Sequence, residues 1–150
     1  MKRKLMVYFL RTSLILLTVS GCNSMSNDER SQEESATPVT LDGPWFVEYI
    51  EDRPVIDNSP ANILFGEDGQ LSGSASCNRI MGSYEVAGDS LTIGPLATTR
   101  KACIDALGEQ EQRFLAAIAK VSKWRIENGL LLLSDETGEL MFRAATHSSP

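Results

Sequence analysis

Between Trp45 and Arg143 the apolar residues come in short runs separated by turn-forming residues, and one stretch breaks that rhythm. Trp45-Phe-Val-Glu-Tyr-Ile50 is rich in aromatic and β-branched residues, which suit a pleated, half-buried surface, and predicts a first strand. Arg53-Pro54 and Ser59-Pro60 break it and open a connecting loop. Ile63-Leu-Phe65 and Gln70-Leu71 flank Gly66-Glu-Asp-Gly69, a hairpin signal, because Asp and Gly tolerate the positive φ of a tight reversal. Tyr84-Glu-Val86 and Leu91-Thr-Ile93, joined through Gly88-Asp89, predict a second hairpin. Gly94-Pro95 interrupts, and Leu96-Ala-Thr-Thr99 adds a short strand. Later, Lys123-Trp-Arg-Ile126 and Leu130-Leu-Leu-Leu133 flank Asn128-Gly129, the strongest short-range hairpin signal, and Leu140-Met-Phe-Arg143 follows a loop at 135–138. Residues 130–133 lack polar alternation, so that strand is expected to be covered on both faces, one of them by a helix.

The exception is residues 107–121. Leu107, Phe114, Leu115, Ile118 and Val121 fall at helical spacing and form one apolar stripe, with Phe114 and Ile118 as core candidates. Asp105 is expected to cap the helix, Glu109 and Glu111 to favour its first turn, and Lys120 and Lys123 its other end. Short strands at near-regular spacing with one late helix predict a mainly β domain: a small antiparallel barrel with the helix packed against it. Trp45 is expected in its core.

Between the two early hairpins lies Ser72-Gly-Ser-Ala-Ser-Cys-Asn-Arg-Ile-Met-Gly-Ser-Tyr84. Small residues there let backbone pass close to backbone, which makes a crowded sheet corner the plainer reading. A functional thiol at Cys77 is the sharper one, and these residues alone leave both open.

Gly73, Cys77, Asn78, Arg79, Gly82 and Tyr84 in this order resemble the core signature of the META domain, the family of HslJ-like bacterial lipoproteins. Leu41-Asp-Gly43 with Trp45 resembles its opening pattern. Thr98-Thr99 followed by Ala102-Cys103 resembles its Thr…Ala-Cys element, and Glu111…Phe114-Leu115 its helix. Ser76 stands where Gly often precedes Cys-Asn, and Lys101 where Met is common. The resemblance runs from Leu41 to Ala144 and implies a barrel of broadly lipocalin-like topology.

The start of the chain has a different character. Lys2-Arg-Lys4 and Arg11 form a basic region, and Ser13-Leu-Ile-Leu-Leu-Thr-Val19 is apolar but shorter than the roughly 20 residues that span a bilayer. Val19-Ser20-Gly21-Cys22 resembles the lipobox of bacterial prolipoproteins. Residues 1–21 therefore read as a signal peptide, Cys22 as the lipidated first residue, 22–40 as a polar tether, 41–145 as the domain, and 146–150 as a disordered tail. More than one acyl chain would give stable membrane anchoring. Asn23 replaces the Asp usual in inner-membrane retention, so the resemblance to lipoprotein sorting implies the outer membrane, facing the periplasm.

The full chain carries 14 Lys and Arg against 20 Asp and Glu. Four of the basic residues and none of the acidic ones precede Cys22, so the processed form has ten against twenty, a net charge of −10. Such a product is repelled by nucleic acid, and no basic patch with interleaved aromatics appears. The single His lies in the tail, no Cys or His pair has metal-ligand spacing, and no phosphate-cradling loop is present. No catalytic residue, metal ligand or cofactor is assigned, and the domain is expected to be a non-enzymatic monomer.

After acylation of Cys22, Cys77 and Cys103 are the remaining thiols, in an oxidising compartment. Each falls between regular elements, and the family motifs that hold them recur as a pair; a Cys77–Cys103 disulfide is expected. The leading function is an envelope lipoprotein that binds a partner, an envelope protein or small molecule, in stress or toxic-compound tolerance, as the resemblance implies. A small-ligand carrier using the barrel and a thiol enzyme or redox protein acting through Cys77 are the alternatives, and a structural bond to Cys103 would count against the second.

Overall fold

The protein is seen in a computed structural model that describes residues 40–147. The segments expected to be signal peptide and tether, with Cys22 between them, lie outside the described residues up to residue 39, as do 148–150 of the expected tail; Thr146 and His147 form an exposed bend.

Ten strands and one helix follow in order: β1 (Gly43–Ile50), β2 (Arg53–Pro54), β3 (Asn62–Phe65), β4 (Gln70–Ser74), β5 (Arg79–Ala87), β6 (Ser90–Ile93), β7 (Ala97–Thr98), α1 (Asp105–Ile118), β8 (Lys123–Glu127), β9 (Leu130–Ser134) and β10 (Leu140–Ala145). All pairings are antiparallel, along the path β10-β9-β8-β6-β5-β4-β3-β1, and β1 pairs with β10 to close it. Eight strands thus form a closed ring, with β2 appended to β1 and β7 to β5. Closure leaves no long open edge. The thinnest seam is between β6 and β8, which meet at Ser90 and Lys123. Leu91 N donates to Ser122 O and Trp124 N to Asp89 O there, each at 2.9 Å.

Inward-facing residues fill the ring: Trp45, Ile63, Phe65, Leu71, Ile80, Leu91, Leu133 and Phe142 are almost fully buried. Trp45 is 1% exposed, and its indole N–H donates to Leu41 O at 2.7 Å. Phe114 and Ile118 carry the helix into this core, where the Phe114 and Phe142 rings meet edge to face at 4.9 Å. Leu131, Leu132 and Leu133 are all buried, so β9 is covered on both faces, although the helix lies nearest β1 and β10.

Several local expectations need correcting. Arg53-Pro54 does not simply break the chain: after a turn at Glu51 (φ 54°) it pairs with Tyr49-Ile50 as β2. Proline is tolerated there because an appended edge strand can do without its donor. The small-residue stretch is mostly strand, and only residues 75–78 turn the corner between β4 and β5. The helix occupies Asp105–Ile118 rather than 107–121. Ile104 is its N-cap, with no side-chain cap bond, and Asp105 lies inside the first turn, where its charge still favours the dipole. Lys120 pairs with Glu51 at 3.4 Å instead of ending the helix, and Lys123 begins β8.

Candidate functional site

Strand direction sorts the connections into two ends. Residues 40–42 and the turns at 66–69, 88–89 and 128–129 gather at one mouth of the ring. The loop 51–61, the corner 75–78 and the long passage containing α1 gather at the other.

At the helix end most of the signature residues converge. Cys77 and Cys103 form a disulfide, with Cα atoms 6.1 Å apart across a separation of 26 residues. It ties the corner to the segment entering α1. Beside it, buried Asn78 is a hub. Its Oδ1 accepts from Thr99 Oγ1 at 2.8 Å and from Lys101 N at 2.7 Å. Its Nδ2 and backbone N–H donate to the Glu111 carboxylate at 2.9–3.1 Å, which joins corner and helix. Thr99 Oγ1 also accepts from Arg79 N at 3.1 Å, and Thr99 N donates to Arg79 O at 3.1 Å. The exposed Arg79 therefore enters the network through its backbone.

The two signature glycines serve close packing. A Cβ at Gly73 would run into the Asn62 carbonyl oxygen on β3. One at Gly82 would lie 2.6 Å from Leu96 Cδ2 and 3.0 Å from Pro95 O, where the Gly94-Pro95-Leu96 segment passes over β5. Tyr84 does not join this group. It reaches the opposite mouth, where its hydroxyl meets Gly66 O at 2.7 Å and Asp42 Oδ1 at 3.1 Å.

Gln110 is a central residue that the sequence reading missed. It is fully buried on the apolar stripe, four residues before Phe114. Its Oε1 accepts from Ile56 N, and its Nε2 donates to Ser59 Oγ and Ser76 Oγ, all at 2.7 Å. A polar residue in register with a helix's apolar face was the available signal, since a buried amide requires partners. Ser76 holds φ 94°, a conformation that favours glycine, and its hydroxyl bonds Gln110. Glu111, expected to favour the first turn and to belong to the family's helix element, also holds the corner through Asn78.

Chemically, this end is a clamp. Both sulfurs are in one bond, and the polar groups of Asn78, Thr99, Glu111 and Gln110 are engaged with one another or with backbone. Among the described residues no group of three or more His, Cys, Asp or Glu is placed to hold a metal ion.

A family model for the META domain matches residues 37–148. The chain belongs to the META-domain family. Three solved structures share the fold. One, determined by NMR from Burkholderia xenovorans, is 26% identical with a TM-score of 0.57, over 71% of this chain and 83% of that one. Another NMR structure is 28% identical, TM-score 0.53, over 67% and 87%. The crystal structure of a duf4847 family protein from Bacteroides vulgatus is 17% identical, TM-score 0.57, over 72% and 94%, and shares the fold alone. No curated protein gives a significant match.

Two hollows on the META domain are lined by described residues. One of about 890 Å³ lies outside the ring between β1 and the loop 54–60. Arg143 sits in it, 3.3 Å from Glu48 and 3.8 Å from the centre of the Tyr49 ring. The other, about 420 Å³, is the mouth opposite the helix, lined by Asp42, Glu67, Tyr84, Val86 and Trp124 among others. Burial first, then the hydrogen bond to Asp42 and the charges of Asp42 and Asp68, hold the Tyr84 hydroxyl above its ordinary pKa.

Proposed function

We propose that this protein is a lipid-anchored, non-enzymatic envelope protein whose META domain binds a partner, with a role in envelope stress or tolerance of toxic compounds. The observation that carries the envelope reading is the Cys77–Cys103 bond, because disulfides persist in oxidising compartments. Together with Val19-Ser-Gly-Cys22 it assigns every cysteine of the chain a role compatible with the periplasmic face of the outer membrane. It also speaks against the thiol-enzyme alternative, since neither Cys77 nor Cys103 keeps a free thiol.

Support for partner binding comes from the outside of the ring. Pro44, Leu64, Ser72, Met81 and Ala97 are successive register partners across β1, β3, β4, β5 and β7. Leu64 is 40% and Met81 62% exposed, so this rung offers apolar side chains at the surface. In cells, a photo-crosslinking residue at position 81 should give a discrete adduct, and one at position 127 should not. Equal labelling at both positions overturns partner binding through this face. Fractionation tests the anchor: Cys22→Ser should release the protein from membranes, and continued retention after a high-salt wash refutes lipidation at Cys22.

A further inference from the structure

We propose that the mouth opposite the helix is a binding site for organic monocations, namely protonated or quaternary amines that carry a small apolar or aryl group. The inference goes beyond the envelope reading and does not depend on the anchor.

Three observations converge on it. The hollow holds about 420 Å³, within the roughly 300–1,000 Å³ typical of small-molecule sites. Tyr84, Val86 and Trp124 line it, which supplies aromatic and apolar surface. Both rings are anchored by polar bonds: Trp124 Nε1 donates to Gly88 O at 3.0 Å, and the Tyr84 hydroxyl is fixed by Gly66 O and Asp42. Asp42 and Glu67 line the same hollow, and no Lys or Arg does. Among the described residues, neither carboxylate has an ion-pair partner. The single Tyr84 hydroxyl proton, shared with Gly66 O, cannot neutralise Asp42. Burial is the main reason that Tyr84 holds its proton more tightly than usual, and the hydrogen bond and charge of Asp42 add to it.

The outer hollow makes the contrast. It contains its own cation, with the Arg143 guanidinium over the Tyr49 ring and beside Glu48. The mouth presents the same two ingredients, aromatic rings and carboxylate, with the cation left to come from outside. An ammonium attracted by the ring quadrupole and the adjacent carboxylates, with its apolar group against Val86, satisfies both. An anion would meet only repulsion.

Benzyltrimethylammonium is the probe, and benzenesulfonate, similar in size but opposite in charge, is the control. With the full chain in a non-ionic detergent, the indole N–H resonance of Trp124 should shift saturably with the cation and not with the sulfonate. Glu67→Gln combined with Asp42→Asn, which keeps an acceptor for Tyr84, should weaken binding roughly tenfold with the melting temperature retained. If the double variant does not fold, Glu67→Gln alone, at an exposed side chain, should still weaken binding. Arg143→Gln in the outer hollow should leave affinity unchanged. The proposal fails if millimolar cation gives no saturable shift, if the sulfonate acts equally, or if loss of the carboxylate charge leaves binding intact.

Discussion

Gln110 Nε2 donates to Ser76 Oγ at 2.7 Å, so a helix residue holds, through one buried bond, the corner that precedes the disulfide. The same amide satisfies Ile56 N, and one side chain thereby joins α1, the loop after β2 and the β4–β5 corner. Gln110→Ala should destabilise the protein by about 2–4 kcal/mol, since it leaves the part-buried Ile56 N–H and the Ser76 hydroxyl without their partner and opens a small cavity. Chemical denaturation of both proteins measures this. A loss under about 0.5 kcal/mol, typical of surface changes, would show that the amide is dispensable.

Ser76 separates backbone strain from hydrogen bonding. Ser76→Ala keeps the unfavourable φ of 94° and loses the bond to Gln110, so it should cost about 1–3 kcal/mol. Ser76→Gly loses the same bond but relieves the conformation, and should cost less by about 1 kcal/mol. Thermal melts of the pair decide it; an alanine variant as stable as the glycine variant would contradict the strain.

The disulfide closes a loop with a separation of 26 residues. Chain entropy gives it about 3 kcal/mol of stabilisation. Cys77→Ser and Cys103→Ser should lose similar amounts, and the double variant little more. Intact mass after alkylation, with and without reduction, reads the bond directly, and two freely alkylated thiols in unreduced periplasmic protein would refute it.

Trp45 tests the core. Its side chain is buried and bonds Leu41 O, so Trp45→Ala should cost roughly 3–5 kcal/mol. Denaturation with fluorescence from Trp124 measures it, and a cost below about 1 kcal/mol would contradict the packing described.

Tyr84 predicts a response to alkali. Its hydroxyl holds its proton more tightly in the folded state than in the unfolded chain, where the pKa is about 10. Its contribution is therefore complete below that pH and is lost as pH rises through the higher folded value. The stability difference between wild type and Tyr84→Phe should shrink over that window. A difference that stays constant through it would remove the linkage.

Local features were legible in the sequence because their cause is local. Asn128 and Gly129 take the positive φ values, 51° and 77°, that a tight hairpin needs, and the stripe through Phe114 and Ile118 declares a helix. What escaped was long-range polar pairing. Asn78 and Glu111 are 33 residues apart, Gln110 and Ile56 are 54, and Tyr84 and Asp42 are 42. No periodicity marks such partners, because they are created by the folding of the ring. Pro54 escaped for the opposite reason: its local bias against a strand was overruled by an edge position where no donor is required.

Pairing of β1 with β10 has a consequence for rearranging the chain. Phe46 lies opposite Ala145, so the two ends of the folded domain emerge side by side. A short linker between them, with new termini cut at Asn128-Gly129, would preserve every strand neighbour while making β9 and β10 the first strands of the chain and β8 the last. The domain is thus a candidate for circular permutation, and its architecture belongs to the cycle of strands, independent of where that cycle is opened.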